Sequence, residues 1–144
     1  MKQLLEKLKS LEKEISDERG EFSLFALFLR EDAENKWDLV VAAPWLNTDS
    51  MEDINHISNK LKFYLDDSEL LSISRIVLVD LDDPIVKTIN NYCNVKRGGL
   101  LELYDLFNIG LPSFKHAYII ISQSKKPVLV NVGKRSLRQP RQPI

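Results

Sequence analysis

The hydrophobic and polar positions of this 144-residue sequence first follow a helical period. Within residues 2–18 an apolar residue recurs at spacings of four, three and four, at Leu4, Leu8, Leu11 and Ile15. Charged residues fill most of the intervening positions, so the pattern predicts an amphipathic N-terminal helix that ends at Gly20. The apolar stripe can pack on the chain's own core or pair with another helix. It is therefore also the predicted surface for a protein partner or for a second copy.

Two segments with strand character follow, at residues 22–30 and 36–43. The polar residues 31–35 between them have the length and composition of a hairpin turn. Both segments are apolar at consecutive positions, so both of their faces need cover and we expect them inside the sheet. Pro44 ends the second segment, because proline cannot donate a hydrogen bond to a ladder.

A helix and a third strand come next. Ser50, followed three residues later by Asp53, predicts an N-cap for a helix that runs to about Leu65. Residues 76–79 form a continuous apolar run that is too short for a helix, and we interpret it as a central strand covered on both faces. A strand, a helix and another strand in this order predict a βαβ unit with two parallel strands.

The remaining elements complete the predicted fold. Asp83 as N-cap and Pro84 at the first helical position predict a helix to about Tyr92. Residues 100–107 fit either a helix or a strand, and we favour the helix. Residues 117–122 and 128–132 have the composition of two strands joined by a polar hairpin loop. The sequence thus predicts an α/β fold, with a mixed sheet of about five strands and helices on both faces.

The charge of the chain changes sharply near its end. Residues 134–144 contain no acid and four cations, Lys134, Arg135, Arg138 and Arg141. Because the whole chain has a formal net charge of -1, the residues before this segment carry -5. We expect a single α/β domain over residues 1–133, followed by a flexible basic tail. Nucleic acid would bind only through that tail, since the acidic domain repels phosphate.

Segments that direct a protein to a membrane or for export are not evident in the sequence. The first helix has a charge every two or three residues, unlike a signal peptide, and no run approaches the roughly 20 apolar residues of a membrane span. The single cysteine, Cys93, cannot form an internal disulfide or a zinc site built from cysteines. We therefore expect a cytoplasmic protein without membrane segments.

Three carboxylates stand where the 76–79 strand ends, at a position where ligands tend to bind in open α/β sheets. The stretch VLVDLDDPIV resembles the first motif of the haloacid-dehalogenase phosphotransferases. On that resemblance Asp80 would be nucleophile and metal ligand, and Asp82 a general acid. The stretch departs from the motif at Asp83-Pro84-Ile85, where the family has Gly-Thr-Leu or Gly-Thr-Val.

A second resemblance is to the PD-(D/E)xK nucleases. Asp38 opens an apolar strand, and Asp80-Leu81-Asp82 stands where that family has an acid, any residue and a lysine. The resemblance implies that Asp38, Asp80 and Asp82 are catalytic, with Asp80 and Asp82 binding magnesium. Such an ion would activate water against a phosphodiester. Lys87, one turn into the next helix, would supply the cation that Asp82 replaces.

The same carboxylates also have a structural interpretation, in which Asp83 caps a helix, Asp82 favours its positive end and Asp80 ends a strand. No nucleotide-binding motif is present, and His56 and His116 lack the spacing of metal ligands. Our leading hypothesis is a non-catalytic interaction or regulatory protein that uses no cofactor. The alternative is a magnesium-dependent phosphodiesterase or nuclease.

Truncation after Gly133 tests the hypothesis of a flexible tail. The midpoint of thermal unfolding, followed by circular dichroism, should stay almost unchanged, because residues 134–144 have little apolar surface to bury. If the chain binds nucleic acid, truncation should also weaken binding and flatten its salt dependence. A loss of many degrees would show instead that the tail docks on the domain.

Overall fold

Five strands form one mixed sheet in the computed structural model, which describes residues 1–124 of the chain. The elements in chain order are α1 (Lys2–Arg19), β1 (Leu24–Arg30), β2 (Trp37–Ala42), α2 (Met51–Tyr64), α3 (Asp67–Ser72), β3 (Ile73–Leu78), α4 (Pro84–Tyr92), β4 (Leu101–Tyr104), a 3₁₀ turn (Leu106–Ile109) and β5 (Phe114–Ser122). The predicted α/β class with a five-stranded mixed sheet is confirmed. The predicted 128–132 strand and the basic tail lie outside the described residues.

The strands lie side by side in the order β3-β2-β1-β5-β4. β1 is antiparallel to β2 and to β5, and β4 is antiparallel to β5. The predicted hairpin is confirmed, with Leu24 opposite Ala42 and Leu29 opposite Trp37. The predicted crossover is confirmed as well, because β2 and β3 are parallel and α2 lies between them in the chain. The mixed character of the sheet thus comes from a single parallel pair among the described strands.

Side-chain caps start three of the helices. The Ser50 hydroxyl accepts a hydrogen bond from the Asp53 N–H at 3.2 Å, as its sequence position predicts. Asp83 accepts one from the Ile85 N–H at 2.9 Å, and Pro84 occupies the first turn of α4. A capping box at Asp66 starts α3, a short helix absent from the sequence prediction.

The core has one layer on each face of the sheet. Phe25 and Leu27 of β1 point to the layer formed with α1 and α2, whereas Ala26 and Phe28 point to the layer formed with α4 and the 3₁₀ turn. All four side chains are fully buried. Burying a phenylalanine or leucine side chain contributes about 1.5–3 kcal/mol, so both layers stabilise the sheet.

The position predicted for the 76–79 strand is wrong. β3 is an edge strand, and Ile76, Val77 and Leu78 are only partly buried. The fully buried centre of the sheet is β1. An apolar run shows that its side chains favour burial, but it does not show how many neighbouring strands the fold supplies.

The helix favoured for residues 100–107 is wrong as well. Leu101 and Leu103 of β4 pack toward the α4 layer, whereas Glu102 and Tyr104 point the other way, which is the period of a strand. Asp105 then takes a left-handed conformation with φ 53°, and the 3₁₀ turn begins. The helical signal arose because the leucines of a short strand and of the following turn fall within one window.

The apolar stripe of α1 lies inside the core. Its members are at most 4% exposed: Leu4, Leu8, Leu11 and Ile15. They pack with β1, β2 and α2 in one cluster. The stripe therefore has no surface left for a protein partner or a second copy, which contradicts that prediction. Among the described residues, no helix is sufficiently long and apolar to cross a membrane.

Substitutions in the stripe test this packing. Leu8→Ala should lower the free energy of unfolding by about 2–5 kcal/mol in urea titration, because it leaves a cavity in a fully buried site. Replacing Leu8 and Leu11 together with Glu should unfold the protein, since two charges would enter the core. Lys13→Ala, on the exposed face of the same helix, should change stability by about 0.5 kcal/mol or less. A folded, equally stable double-Glu variant would contradict the assignment.

Candidate functional site

The structure separates Asp38 from the other predicted site aspartates. β2 and β3 run parallel, and Asp38 lies opposite Arg75, near the start of both strands. Asp80 follows the other end of β3, five residues beyond Arg75. At about 3.3 Å per residue this places the two aspartates roughly 16 Å apart along the sheet. Magnesium ligands must lie within about 2.1 Å of one ion, so Asp38 and Asp80 do not share a site.

The carboxylates after β3 have individual structural roles. Asp80 Oδ1 accepts a hydrogen bond from the Thr48 hydroxyl at 3.3 Å, and Asp83 caps α4. Asp82 and Lys87 are exposed side chains on the turn and on α4. Within residues 1–124, no group of three or more His, Cys, Asp or Glu side chains is arranged to hold a metal ion. Magnesium binding by Asp80 and Asp82 stays a prediction.

Asp38 is a buried carboxylate at the centre of ion pairs that cross three strands. The residue is 2% exposed, and its Oδ2 lies 3.2 Å from Arg75 Nη2 and 4.0 Å from Arg30 Nε. Its Oδ1 has no hydrogen-bond partner among the described residues. A buried carboxylate is tolerated when cations offset its loss of water, and here β1 and β3 supply them. Asp38 thus fastens the edge strand to the sheet.

The outer side of β3 is an open sheet edge. Within residues 1–124, β2 is the strand paired with β3, and the opposite side of β3 has no strand. The Val79 N–H points inward, since it donates to the Val41 carbonyl at 3.0 Å. Peptide groups alternate sides along a strand, so the N–H and C=O groups of Ile76 and Leu78 point outward. These groups are available to pair with another strand.

A groove borders β3 on each face of the sheet. The α4 groove, of about 220 Å³, has an apolar wall that includes Val77, Val79 and Ile85. The α2 groove, of about 210 Å³, has one that includes Leu61, Leu70 and Ile76. Side chains of an added strand would alternate between the two faces and so enter both grooves. The sequence analysis missed this surface, because it placed the strand in the centre of the sheet.

A polar and aromatic cluster joins β4 and β5. Glu102 accepts a hydrogen bond from the Tyr104 hydroxyl and lies 2.7 Å from His116 Nε2. The Tyr104 and His116 rings stack at 4.4 Å, and Trp37 meets His116 edge-on at 5.1 Å. The Tyr104 hydroxyl, and after it His116, hold the pKa of Glu102 below its usual value. The same hydrogen bond raises the pKa of Tyr104.

The side chains of this cluster hydrogen-bond to or stack on one another, so they do not need a further partner. Sequence reasoning treated His116 as an isolated histidine. Strand periodicity could have placed Glu102 and Tyr104 on one face, but residues 100–107 were interpreted as a helix. The cluster lies on one face of the sheet and does not pair the outer peptide groups of β4, so β3 and β4 are both open edges among the described strands.

α1 itself contains a second buried carboxylate. Glu12 is 3% exposed and accepts a hydrogen bond from the Ser16 hydroxyl at 2.6 Å. Arg97 approaches it to 4.0 Å and lies 3.5 Å from Asp17, so it links the segment before β4 to α1. Glu12 and Arg97, together with Glu21 and Lys96, border a cavity of about 400 Å³. Opposite charges balance across the cavity, which fits a structural contact between α1 and the sheet.

Comparison of the chain with protein-family models, with curated proteins and with solved structures finds no match.

The Glu102 cluster predicts a pH dependence of stability. Because folding lowers the pKa of Glu102, its carboxylate stabilises the fold above the ordinary value of about 4.3. That contribution disappears as the pH falls through the lowered, folded-state pKa. Glu102→Gln should therefore melt below the parent at neutral pH, and the difference should shrink on acidification. Glu34→Gln, in the exposed β1–β2 turn, is the matched control. A Glu102→Gln difference that stays constant with pH would contradict the assignment.

Proposed function

We propose that this chain is a non-catalytic protein-interaction module that binds an extended protein segment along the outer edge of β3. The observation that carries the proposal is that no strand within residues 1–124 pairs with this edge, which has a groove on each face. In strand addition, main-chain hydrogen bonds supply affinity and alternate side-chain pockets supply specificity. Here the outward N–H and C=O groups of Ile76 and Leu78 could form the main-chain hydrogen bonds, and the two grooves could accept alternate side chains.

The contrast between the two sheet edges supports this proposal. Exposed edge strands are usually very short, or they contain lysines, prolines or bulges that discourage pairing with another strand. β4 has four residues and so offers few peptide groups for pairing, and its Glu102 side chain is bound within the aromatic cluster on one face of the sheet. β3 has six, and residues 76–79 contain neither charge nor proline. Arg75, the cation in β3, is drawn to Asp38. A bulge interrupts β3 between Ile73 and Arg75, but residues 76–79 beyond it lack these protections and are suited to pairing.

The distribution of the predicted catalytic carboxylates also favours a binding role. Asp38 is engaged by arginines, Asp80 by a threonine and Asp83 by the first turn of α4. Asp38 lies near the start of β2 and β3, whereas Asp80 follows the end of β3, which disfavours a shared metal site for these two residues. A cytoplasmic location, favoured by the free Cys93, belongs to the same proposal.

Site-specific crosslinking tests the proposal in cells. A photoreactive residue at Ser74, an exposed position on β3, should form an adduct with a protein segment. The same residue at Glu34, exposed in the β1–β2 turn, is the matched control and should not form that adduct. Mass spectrometry of the adduct should identify an extended segment of the partner.

The variant Ile76→Pro sharpens this test. Proline at position 76 removes an outward N–H, while the inward hydrogen bonds to β2 remain possible. The Ser74 adduct should therefore be lost in this variant. Equal labelling at positions 74 and 34, or an adduct that persists in folded Ile76→Pro, would overturn the proposal.

A further inference from the structure

We infer that the segment bound at β3 is the β3 strand of a second copy of this chain, paired antiparallel about a two-fold axis. The inference rests on the proposed function and names its partner. Pairing of this kind would join two five-stranded sheets into one continuous sheet. Three features of the edge argue for it: its backbone, its charges and its exposed leucines.

The backbone of β3 is self-complementary about Ile76. The outward peptide groups of Ile76 in the two copies would face each other as a hydrogen-bonded pair. Leu78 of each copy would then face the Ser74 end of the other, where a bulge lies between Ile73 and Arg75. A two-fold axis uses the same patch on both copies, so every contact is made twice. The half-exposed side chain of Ile76 would come to lie beside its counterpart along the α2 groove.

The charges along the edge select the antiparallel orientation. Near the start of β3 stand Arg75 and Lys36, whose Nζ donates to the Leu71 carbonyl at 2.8 Å. Asp80 and Asp82 stand exposed after its end. Antiparallel pairing brings the cationic end of each copy to the acidic end of the other, whereas parallel pairing would place like charges together.

Three acids stand close to the cationic end, and two of them already have partners. Glu69 lies 2.6 Å from Lys7, and Asp66 caps α3, whereas Asp67 is exposed in the first turn of that helix. Asp67 offsets part of the charge of Lys36. The preference for antiparallel pairing therefore rests mainly on Asp80 and Asp82, which parallel pairing would place against their own counterparts.

Two exposed leucines mark the ends of the same edge. Leu71 is 69% exposed on α3 and Leu81 is 41% exposed in the turn after β3. Each stands five residues from Ile76, on opposite sides of it. Antiparallel pairing about Ile76 brings Leu81 of one copy to the end where Leu71 of the other lies. Contact between them removes apolar surface from water at both ends of the edge.

Analytical ultracentrifugation of the full chain over a range of concentrations tests the inference. The parent should form a dimer, and Ile76→Pro should be monomeric with an unchanged far-ultraviolet circular dichroism spectrum. Leu81→Glu should weaken the dimer at least about tenfold in Kd, because it places a charge against Leu71 of the other copy. Because Leu81 lies on the surface, Leu81→Glu should fold normally. It therefore tests the dimer even if Ile76→Pro fails to fold.

Two further variants separate this interface from other surfaces. Phe107 is 72% exposed in the 3₁₀ turn beyond β4, so Phe107→Glu is the matched control and should leave the dimer unchanged. Leu71→Lys combined with Leu81→Glu should restore dimerisation, since lysine and glutamate would meet across the interface. A parent that stays monomeric at all concentrations, a Phe107→Glu variant that also dissociates, or failure of the double variant to associate would overturn the inference.

Failure of the inference and failure of the proposed function give different results. A monomeric parent whose Ser74 crosslinks to a different protein in cells would overturn the second copy as partner and leave strand addition in place. A monomeric parent without an adduct at Ser74 would overturn both.

Discussion

The apolar strand β1 is stable only where both of its faces are covered and both of its edges are paired. Most of the other elements provide this cover and this pairing. Residues 24–28 are fully buried, with alternate side chains in the two core layers. β2 and β5 satisfy the peptide groups on its two sides. α1 and α2 exclude water from one face, and α4 with the 3₁₀ turn excludes it from the other. Because burial without hydrogen bonding would be costly, coverage and pairing have to be met together.

Because the central strands are paired on both sides, the unpaired peptide groups of the described sheet lie on its two edge strands, β3 and β4. The two edges differ in length and in side chains. β4 has only four residues, and its Glu102 and Tyr104 side chains bind each other on one face of the sheet. At β3 the buried carboxylate of Asp38 holds Arg75 and ties the strand inward, while no strand within residues 1–124 pairs with its outer peptide groups. A strand that is held firmly on one side loses little further freedom when it pairs on the other, which favours association.

Two of the carboxylates that suggest phosphoryl or phosphodiester chemistry hold secondary structure in place. Asp38 joins three strands through two arginines, and Asp83 starts α4. Aspartate suits metal sites, helix caps and ion pairs for the same reason, because its carboxylate is a compact anionic acceptor. Residue type and spacing alone therefore leave these roles open, and the parallel register of β2 and β3 separates Asp38 from Asp80.

Elements with local signals could be predicted from the amino-acid pattern. Helical spacing and the caps at Ser50 and Asp83 predicted α1, α2 and α4, and strand composition predicted β1, β2 and β5. Three features emerged only from the folded chain: β3 lies at the edge of the described sheet, the α1 stripe is buried, and Asp38 lies far from Asp80. A hydrophobic pattern records a preference for burial, whereas the segment that provides the burial is chosen by contacts between distant parts of the chain. Residues 100–107 show the limit, because a four-residue strand is too short for its period to outweigh the neighbouring turn.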